Sequence, residues 1–206
     1  MRTAGRGYLS ARLSSKAGTI TLARHGEPAL SRKVRLNPRE YGEFLGKYEV
    51  GGLVEGQKAP DFLIEWAREA DVIWVSSRRR AIESATILLG EGADTIVDAR
   101  LIEAPLPPPP WPTFVRMTPK VWGFWARFWW WWFNHHAGQE TKAQATSRAR
   151  AVIADIIGSA EDGSNVLVVA HGFFNAMMGL ELKRAGWRKV QGRGWKYGST
   201  RRFERR

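Results

Sequence analysis

The 206-residue chain contains no cysteine. This absence excludes a disulfide scaffold, a thiolate zinc site and a cysteine nucleophile. The chain also lacks any run of about 18 apolar residues, the length of a conventional membrane span. Histidine is scarce, with only four residues, so two histidines in the same local context would be informative.

Acidic residues are missing from the start of the chain, since the first is Glu27. Residues 1–18 are basic, contain Ser and Gly, and have no apolar core of the kind a signal peptide needs. We predict a flexible basic tail over 1–18, with a transit peptide as the alternative. We expect a cytoplasmic protein, either free or associated peripherally with a membrane.

Charge of one sign predominates, because the formal net charge is +12. Such a chain attracts anions, and the candidates are nucleic acid, an anionic membrane surface and a phosphorylated substrate. Charge alone does not choose among them. The 44% content of hydrophobic residues is enough for one α/β domain with a sizeable core, which we expect over residues 19–206.

Short apolar segments alternate with segments of helical character. The strand candidates TITLA (19–23), DVIWVSS (71–77) and NVLVVA (165–170) are rich in β-branched residues, and DTIVDA (94–99) is a weaker fourth. Helical segments at 37–50, 59–70, 77–91 and 139–162 lie between them. This order predicts an α/β fold, a three-layer αβα sandwich with a mostly parallel central sheet. For residues 181–206 we predict an edge strand and a basic tail.

Two of the strand candidates run directly into His-Gly. TITLARHG ends in His25 and VLVVAHG ends in His171. The carboxyl ends of parallel strands meet at one edge of a sheet, where ligands bind. The third strand is followed by the run Arg78 to Arg80 at the same edge. We therefore expect imidazole and guanidinium groups to meet in one crevice, which suits a phosphate group.

Each of these features has a structural alternative when taken singly. A histidine at a strand end often makes only a structural hydrogen bond, and an arginine run often lies on a solvated helix start. The three strand ends together favour an anion site. Gly26 and Gly172, which follow the two histidines, would let the backbone approach the anion.

These motifs resemble those of the histidine phosphatase superfamily, the phosphoglycerate mutase-like proteins. The family's Arg-His-Gly signature is matched by Arg24, His25 and Gly26, and its second element is matched by SSRRRAIESA, with Arg80 at the arginine position. Its late Ala-His-Gly is matched by VVAHG, and its acid by Glu103 in DARLIEAPL. The stretch GGLVEGQKAP is similar to a further family segment.

The resemblance implies a histidine acid phosphatase-type enzyme that hydrolyses phosphomonoesters. His25 would be the nucleophile that forms a phosphohistidine, and Glu103 the general acid and base. Arg24, Arg80 and His171 would hold the phosphoryl oxygens, together with Gly26 and Gly172. No metal and no other cofactor is implied. The substrate would be a phosphorylated compound whose identity the residues do not reveal.

Several residues near these motifs have open roles. Glu27 is a second candidate for the acid, and Asn175 could reach the pocket, cap a helix or pack in the core. Arg32, Lys33 and Arg35 are assigned to a solvated loop, with contact to an anionic substrate as the alternative. After Arg-His-Gly, the family's mutases resemble Glu-Ser-x-x-Asn, whereas this chain has EPALSR. A phosphatase is therefore favoured over a phosphomutase.

A Pro- and Trp-rich segment at about 105–137 has no counterpart in the compact family pattern. Seven of the eleven tryptophans lie between Trp111 and Trp132, and Pro119 is placed to begin a helix. Within that helix we predict one stripe of tryptophans: Trp122, Trp125, Trp129 and Trp132. A lid that lines the pocket with aromatic rings is the favoured interpretation. An anionic membrane surface or a protein partner are the alternatives, and no specific nucleic acid is expected.

A function of another class is also open. A catalytically inactive family member could act as an adaptor that binds a membrane surface or a protein through its Trp-rich helix.

Overall fold

The computed structural model of the protein describes residues 18–161, 163–194 and 196–205. The tail predicted for 1–18 lies outside these residues except for Gly18. Six strands form one sheet: β1 (Thr19–Arg24), β2 (Val72–Ser76), β3 (Ile96–Asp98), β4 (Val166–Ala170), β5 (Trp187–Arg193) and β6 (Thr200–Arg205). Six α-helices accompany it: α1 (Pro38–Val50), α2 (Asp61–Arg68), α3 (Arg79–Leu89), α4 (Pro119–Phe133), α5 (Lys142–Ala160) and α6 (Gly172–Arg184).

The strand order is β3-β2-β4-β1-β6-β5. The first four strands in this order pair in parallel, and β6 pairs antiparallel with both β1 and β5. In the register between β1 and β4, Arg24 lies opposite Ala170. The residue that follows each of these two is a histidine, so the register places His25 and His171 side by side beyond the sheet edge.

Successive residues of the central strand β4 face opposite layers of helices. Val166, Val168 and Ala170 belong to a core with α1, α4, α5 and α6. Leu167 and Val169 belong to a second core with α2 and α3. Because both faces are covered, the strand is apolar throughout, as expected for a central parallel strand. The predicted three-layer α/β architecture is confirmed.

The helix boundaries follow from local signals. α1 begins with a capping box between Asn37 and Glu40, and α5 begins with one between Thr141 and Gln144. α4 has proline in its first turn and ends at Asn134, whose φ of 50° is left-handed. Within the described residues, no helix combines the length and the apolarity needed to cross a membrane.

The prediction for the C-terminal region was wrong in part. β5 is the edge strand, but residues 200–205 form β6, a strand inside the sheet, where a basic tail had been predicted. β6 lies inside the sheet although it contains several arginines. One of its faces packs Phe203 into the core. On the other face, the Arg202 guanidinium lies 4.1 Å from the ring centre of Trp66, and its Nε donates to Thr21 Oγ1.

Candidate active site

The carboxyl ends of β1, β4 and β2 lie side by side in the middle of the sheet. β4 lies between β1 and β2, so His171 follows the middle strand and His25 a neighbouring one. Their ring centres are 5.1 Å apart. Both rings are almost inaccessible to solvent, with His25 2% and His171 0% exposed. The structure therefore brings together the two histidines that the sequence singled out.

Arg80, in the first turn of α3, links the two histidines. Its Nε donates to His25 Nε2 at 3.3 Å, and its Nη2 donates to His171 Nδ1 at 3.2 Å. Its Nη1 donates to the carbonyls of Tyr48 and Glu49 near the end of α1, where the helix dipole favours a cation. These bonds hold a buried guanidinium against both imidazoles.

The hydrogen-bond partners define the tautomers of both rings. His25 Nδ1 lies 2.7 Å from the Gly26 carbonyl, which only accepts, so Nδ1 carries the proton and Nε2 keeps a lone pair. His171 Nδ1 accepts from Arg80, so its Nε2 carries the proton and donates to Ser76 Oγ at 2.9 Å. Each ring is therefore held as a neutral imidazole.

The surroundings of the two rings keep them neutral. Burial, with Arg80 and Arg24 beside the ring, lowers the pKa of His25 from its usual 6.5 to about 3. Burial also lowers the pKa of His171 well below its usual value, and His25 and Arg80 add to the effect. A neutral His25 at neutral pH is a competent nucleophile.

The lowered pKa values predict acid sensitivity of the fold. Below about pH 6.5 these histidines protonate only in the unfolded chain, so the unfolded state binds more protons and stability falls as pH falls. We expect His25 alone to reduce the free energy of unfolding by about 2 kcal/mol between pH 7 and pH 5. Chemical denaturation at several pH values measures the slope.

The control for this prediction is His25→Asn, which removes one titrating group and should lose less stability over the same pH interval. A wild-type stability that stays level from pH 7 to pH 5, or an identical slope in His25→Asn, would show that burial does not hold the imidazole neutral.

Arg24 extends the cationic cluster toward the pocket. Its guanidinium lies 4.4 Å from the ring centre of Tyr197, and its buried Nε has no hydrogen-bond partner within the described part of the chain. A buried donor of this kind is costly unless a ligand satisfies it. Arg32 also lines the pocket and donates to the Tyr197 hydroxyl at 2.7 Å, so it is not a freely solvated loop residue.

Glu103 lines the same pocket as His25. Its carboxylate accepts hydrogen bonds from the backbone N–H groups of Phe173 at 3.2 Å and Phe174 at 2.7 Å, in the first turn of α6. Carboxylates are favoured at helix N-termini. The start of α6, directly after His171, therefore fixes the orientation of this carboxylate beside the pocket.

The two predicted glycines have packing partners that explain them. A Cβ on Gly26 would lie 2.3 Å from Gln57 Oε1, and a Cβ on Gly172 would lie 3.2 Å from Arg24 Cδ and Nε. The Gly26 N–H donates to Ser84 Oγ at 2.9 Å. The missing side chains thus leave room for Gln57 and Arg24, and the prediction that the backbone approaches an anion here stays a prediction.

Two further candidates lie apart from the pocket. Glu27 is exposed, and its backbone groups bond to Gln57. It borders a neighbouring hollow, which shares Arg24 with the pocket and also includes Leu53 and Lys58. Asn175 is buried and donates from Nδ2 to the Ala23 carbonyl at 3.0 Å, which ties α6 to β1. Of the alternatives open for Asn175, the structure places it in the packed interior.

The pocket has a volume of about 310 Å³. His25, Arg24, Arg80 and Glu103 stand on one side of it. Further parts of its wall come from α1, from the proline-rich segment 104–108, and from Arg32 and Gln139. α4 also borders the pocket, through three residues: Pro119, Gly123 and Arg127. In the described part of the chain no tryptophan lines the pocket, so α4 does not supply the predicted lining of aromatic rings.

The predicted tryptophan stripe is divided between two environments. Trp122 is completely buried, and its Nε1 donates to the Leu36 carbonyl at 2.7 Å. Trp125 and Trp129 are half-buried against Trp111. Trp132, by contrast, is 70% exposed. The four tryptophans therefore differ in exposure, and binding of a partner through them stays a prediction.

Sequence reasoning missed Ser76, Tyr48 and Tyr197. Ser76 is the last residue of a strand whose end was already singled out, so its position was a usable signal. Tyr197 approaches from the connection between β5 and β6, and its ring centre is 5.9 Å from that of His25. No local motif marks it, because its position depends on the antiparallel strands that the sequence did not reveal.

Solved structures of several enzymes share this fold. A mycobacterial glucosyl-3-phosphoglycerate phosphatase, in a complex with VO3, is 22% identical and superposes with a TM-score of 0.58, covering 90% of this chain and 92% of its own. A phosphoglycerate mutase from Bacillus anthracis is 18% identical, with a TM-score of 0.57 and coverage of 93% and 90%. These similarities show the common fold.

Sequence comparison gives the family. No curated protein sequence matches the chain. The model of the histidine phosphatase superfamily, branch 1, matches residues 20–206. This match covers nearly all of the described structure and confirms the resemblance seen in the motifs. The chain belongs to the histidine phosphatase superfamily.

Proposed function

We propose that the protein hydrolyses phosphomonoesters through a phosphohistidine on His25. The observation that carries this proposal is the state of the imidazole. Its Nδ1 proton is held by the Gly26 carbonyl, and its Nε2 lone pair lies beside the buried Arg80 guanidinium. A neutral nucleophile next to fixed positive charge suits attack on a phosphoryl group, whose charge the cations stabilise.

The reaction has two balanced steps. His25 Nε2 attacks phosphorus, the bond from phosphorus to the ester oxygen breaks, and its electron pair leaves with the alcohol, which takes a proton from Glu103. Glu103 then accepts a proton from water, the resulting hydroxide attacks phosphorus, and the nitrogen–phosphorus bond breaks to release phosphate. Proton transfer of this kind is worth about 10²–10⁴-fold in rate.

The cations around His25 would stabilise the negative charge of the phosphoryl group, as a metal ion does in metal-dependent phosphatases. Arg80 and Arg24 would contact the non-bridging phosphoryl oxygens. One donor would be the Arg24 Nε, which has no hydrogen-bond partner among the described residues. His171 lies within the same cluster. A metal ion would be repelled by these guanidinium groups. We therefore infer that hydrolysis needs no metal.

The low pKa of His25 supports activity of the acid phosphatase type. With a pKa of about 3, the imidazole stays unprotonated well into the acidic range. The nucleophile itself therefore remains available at acidic pH, where the stability of the fold sets the limit on activity.

The pocket supports a small substrate. Its volume of about 310 Å³ is at the low end of ordinary ligand pockets, which span roughly 300–1,000 Å³. Tyr41, Phe44 and Leu45 from α1 give it an apolar wall. We infer a small phosphorylated metabolite in preference to a phosphoprotein.

Hydrolysis of p-nitrophenyl phosphate tests the proposal. We expect metal-independent release of p-nitrophenol, unchanged by EDTA. Complete absence of hydrolysis from acidic to neutral pH would contradict the proposal and favour the inactive adaptor. A phosphomutase would instead interconvert phosphoglycerate isomers without releasing phosphate. That alternative is weaker, since the run EPALSR after Gly26 departs from the mutases.

A further inference from the structure

Helix α4 presents three different faces. Pro119, Gly123 and Arg127 line the pocket. Trp122, Ala126 and Trp130 are buried in the core. The third face points to solvent although it is almost entirely apolar. Its residues recur at helical spacing and are substantially exposed: Val121 (41%), Phe124 (62%), Phe128 (37%) and Trp132 (70%).

This exposed aromatic face, Val121, Phe124, Phe128 and Trp132, is continuous with further aromatic rings. Phe128 packs against Trp132 and against Phe133, which is itself 63% exposed. Phe124 also contacts the half-buried Trp125, and Phe128 contacts the half-buried Trp129. Isolated exposed apolar residues are normal on a protein surface, but a contiguous patch of this kind marks an interaction site.

Positive charge lies near the exposed aromatic face. Residues 104–139 contain no Asp or Glu, and Lys120 in the first turn of α4 is exposed. Of the other cations in this stretch, Arg116 pairs with Glu40 and Arg127 lines the pocket. At the C-terminal end of α4, Trp132 borders a shallow hollow together with Lys142 and Arg150. The Lys142 ammonium lies 4.2 Å from the ring centre of Trp131. A binding partner that complements this surface would have an apolar region and negative charge beside it.

We propose that the exposed aromatic face of α4 docks on an anionic lipid surface. A membrane interface accepts tryptophan and phenylalanine at the headgroup boundary, and its anionic headgroups attract nearby lysine and arginine. The fifteen-residue helix would lie in the plane of the interface. The phosphate groups of the lipids would meet Lys142 and Arg150 beside Trp132.

Charge favours lipid over a second copy of the chain. A symmetric dimer through this face would place the same surface on both sides of the contact. Both sides of the contact would then carry Lys120 and Lys142, and also Arg150, which bonds to Glu181, so that like charges would repel. An anionic bilayer satisfies the apolar and the cationic parts of the surface together.

Docking would also orient the pocket. The pocket-lining residues Gly123 and Arg127 lie one helical position before Phe124 and Phe128 of the exposed face, about 100° away around the same helix. A docked α4 therefore holds the pocket beside the lipid surface. This inference concerns the location of the protein and does not depend on the proposed hydrolysis.

Sedimentation with lipid vesicles tests the proposal. The full chain is mixed with vesicles of phosphatidylcholine and phosphatidylglycerol, or of phosphatidylcholine alone. We expect binding that requires the anionic lipid and weakens with added salt. The triple variant Phe124→Ser, Phe128→Ser, Trp132→Ser should bind at least about tenfold more weakly.

A matched control replaces exposed apolar residues elsewhere on the surface. Ile82, Ile87 and Val190 are 39–41% exposed and lie outside α4. Their triple serine variant should bind like the wild type. Circular dichroism establishes whether both triple variants are folded. If the α4 triple variant does not fold, the single variant Phe124→Ser is tested in its place.

Three outcomes would overturn the proposal. They are no sedimentation with anionic vesicles, equal binding to phosphatidylcholine alone, and undiminished binding of the folded α4 variant. Sedimentation equilibrium addresses the rival occupant. A wild-type dimer that the α4 variant cannot form, without vesicle binding, would identify the face as an interface between copies.

Discussion

Replacing His25 with alanine should reduce kcat/KM for p-nitrophenyl phosphate by at least about 10³-fold, because the variant has no atom to receive the phosphoryl group. The remaining cations, Arg80 and Arg24, can still bind an anion. We therefore expect inorganic phosphate to protect the variant against thermal unfolding, as it protects the wild type. Steady-state kinetics and thermal denaturation with phosphate give the two readouts.

The matched control is His136→Ala. This histidine lies in the connection between α4 and α5 and does not line the pocket, so the variant should keep its activity. A His25→Ala enzyme with activity near that of the wild type would remove the nucleophile from the account. Equal losses in both variants would indicate a general effect on folding.

Replacing Glu103 with glutamine should have the second largest effect, and its size should depend on the leaving group. Alkyl phosphates release a poor leaving group that needs a proton, so we expect a loss of about 10²–10⁴-fold in kcat/KM. p-Nitrophenolate needs little protonation, so cleavage of its ester should be impaired much less. The amide oxygen can still accept from the Phe174 N–H, whereas the amide nitrogen cannot accept from the Phe173 N–H as the second carboxylate oxygen does, so one of the two bonds to α6 is kept.

Glu27→Gln is the comparison for this variant, because Glu27 was the other candidate for the acid. It is exposed and does not itself line the pocket, so its replacement should leave the hydrolysis of both substrates unaffected. If Glu27→Gln shows the leaving-group dependence and Glu103→Gln does not, the assignment of the acid is reversed. Equal losses on both substrates in Glu103→Gln would point to a purely structural role.

Much of the fold and of the site was predictable from short apolar strands. VIWVS and VLVVA have no polar alternation, which is typical of strands covered on both faces, and TITLAR is similarly short and rich in β-branched residues; each ends beside a functional group. Since parallel strands share one edge, the strands alone place His25, His171 and Arg80 along that edge. Their contact depends on the strand order, with β4 between β1 and β2, which the segments do not reveal. The resemblance to the family added the candidate acid Glu103.

The C-terminal strands were not predictable in the same way. In TRRFER only Thr200 and Phe203 are buried, and Arg202 is held by partners from distant segments, Thr21 and Trp66. No local pattern contains that information. Tyr197, which stacks on Arg24, depends on the same strands and was missed for the same reason.

The orientation of α4 was also hidden by its composition. A helix that is aromatic on nearly all sides has no polar stripe to mark its exposed face, so spacing alone allowed the wrong set of tryptophans. The small residues Gly123 and Ala126 were the better guide, because they allow close packing on the pocket and core sides. The exposed face is the one opposite them.

The most direct test of the central claim is detection of the phosphorylated enzyme. The wild type is mixed with substrate, quenched in base, where phosphohistidine survives, and mapped by peptide mass spectrometry. The account predicts a phosphoryl group on the peptide at His25 during turnover, and none in His25→Ala. A phosphoryl group on another residue, or none at any quench time while phosphate accumulates, would contradict it.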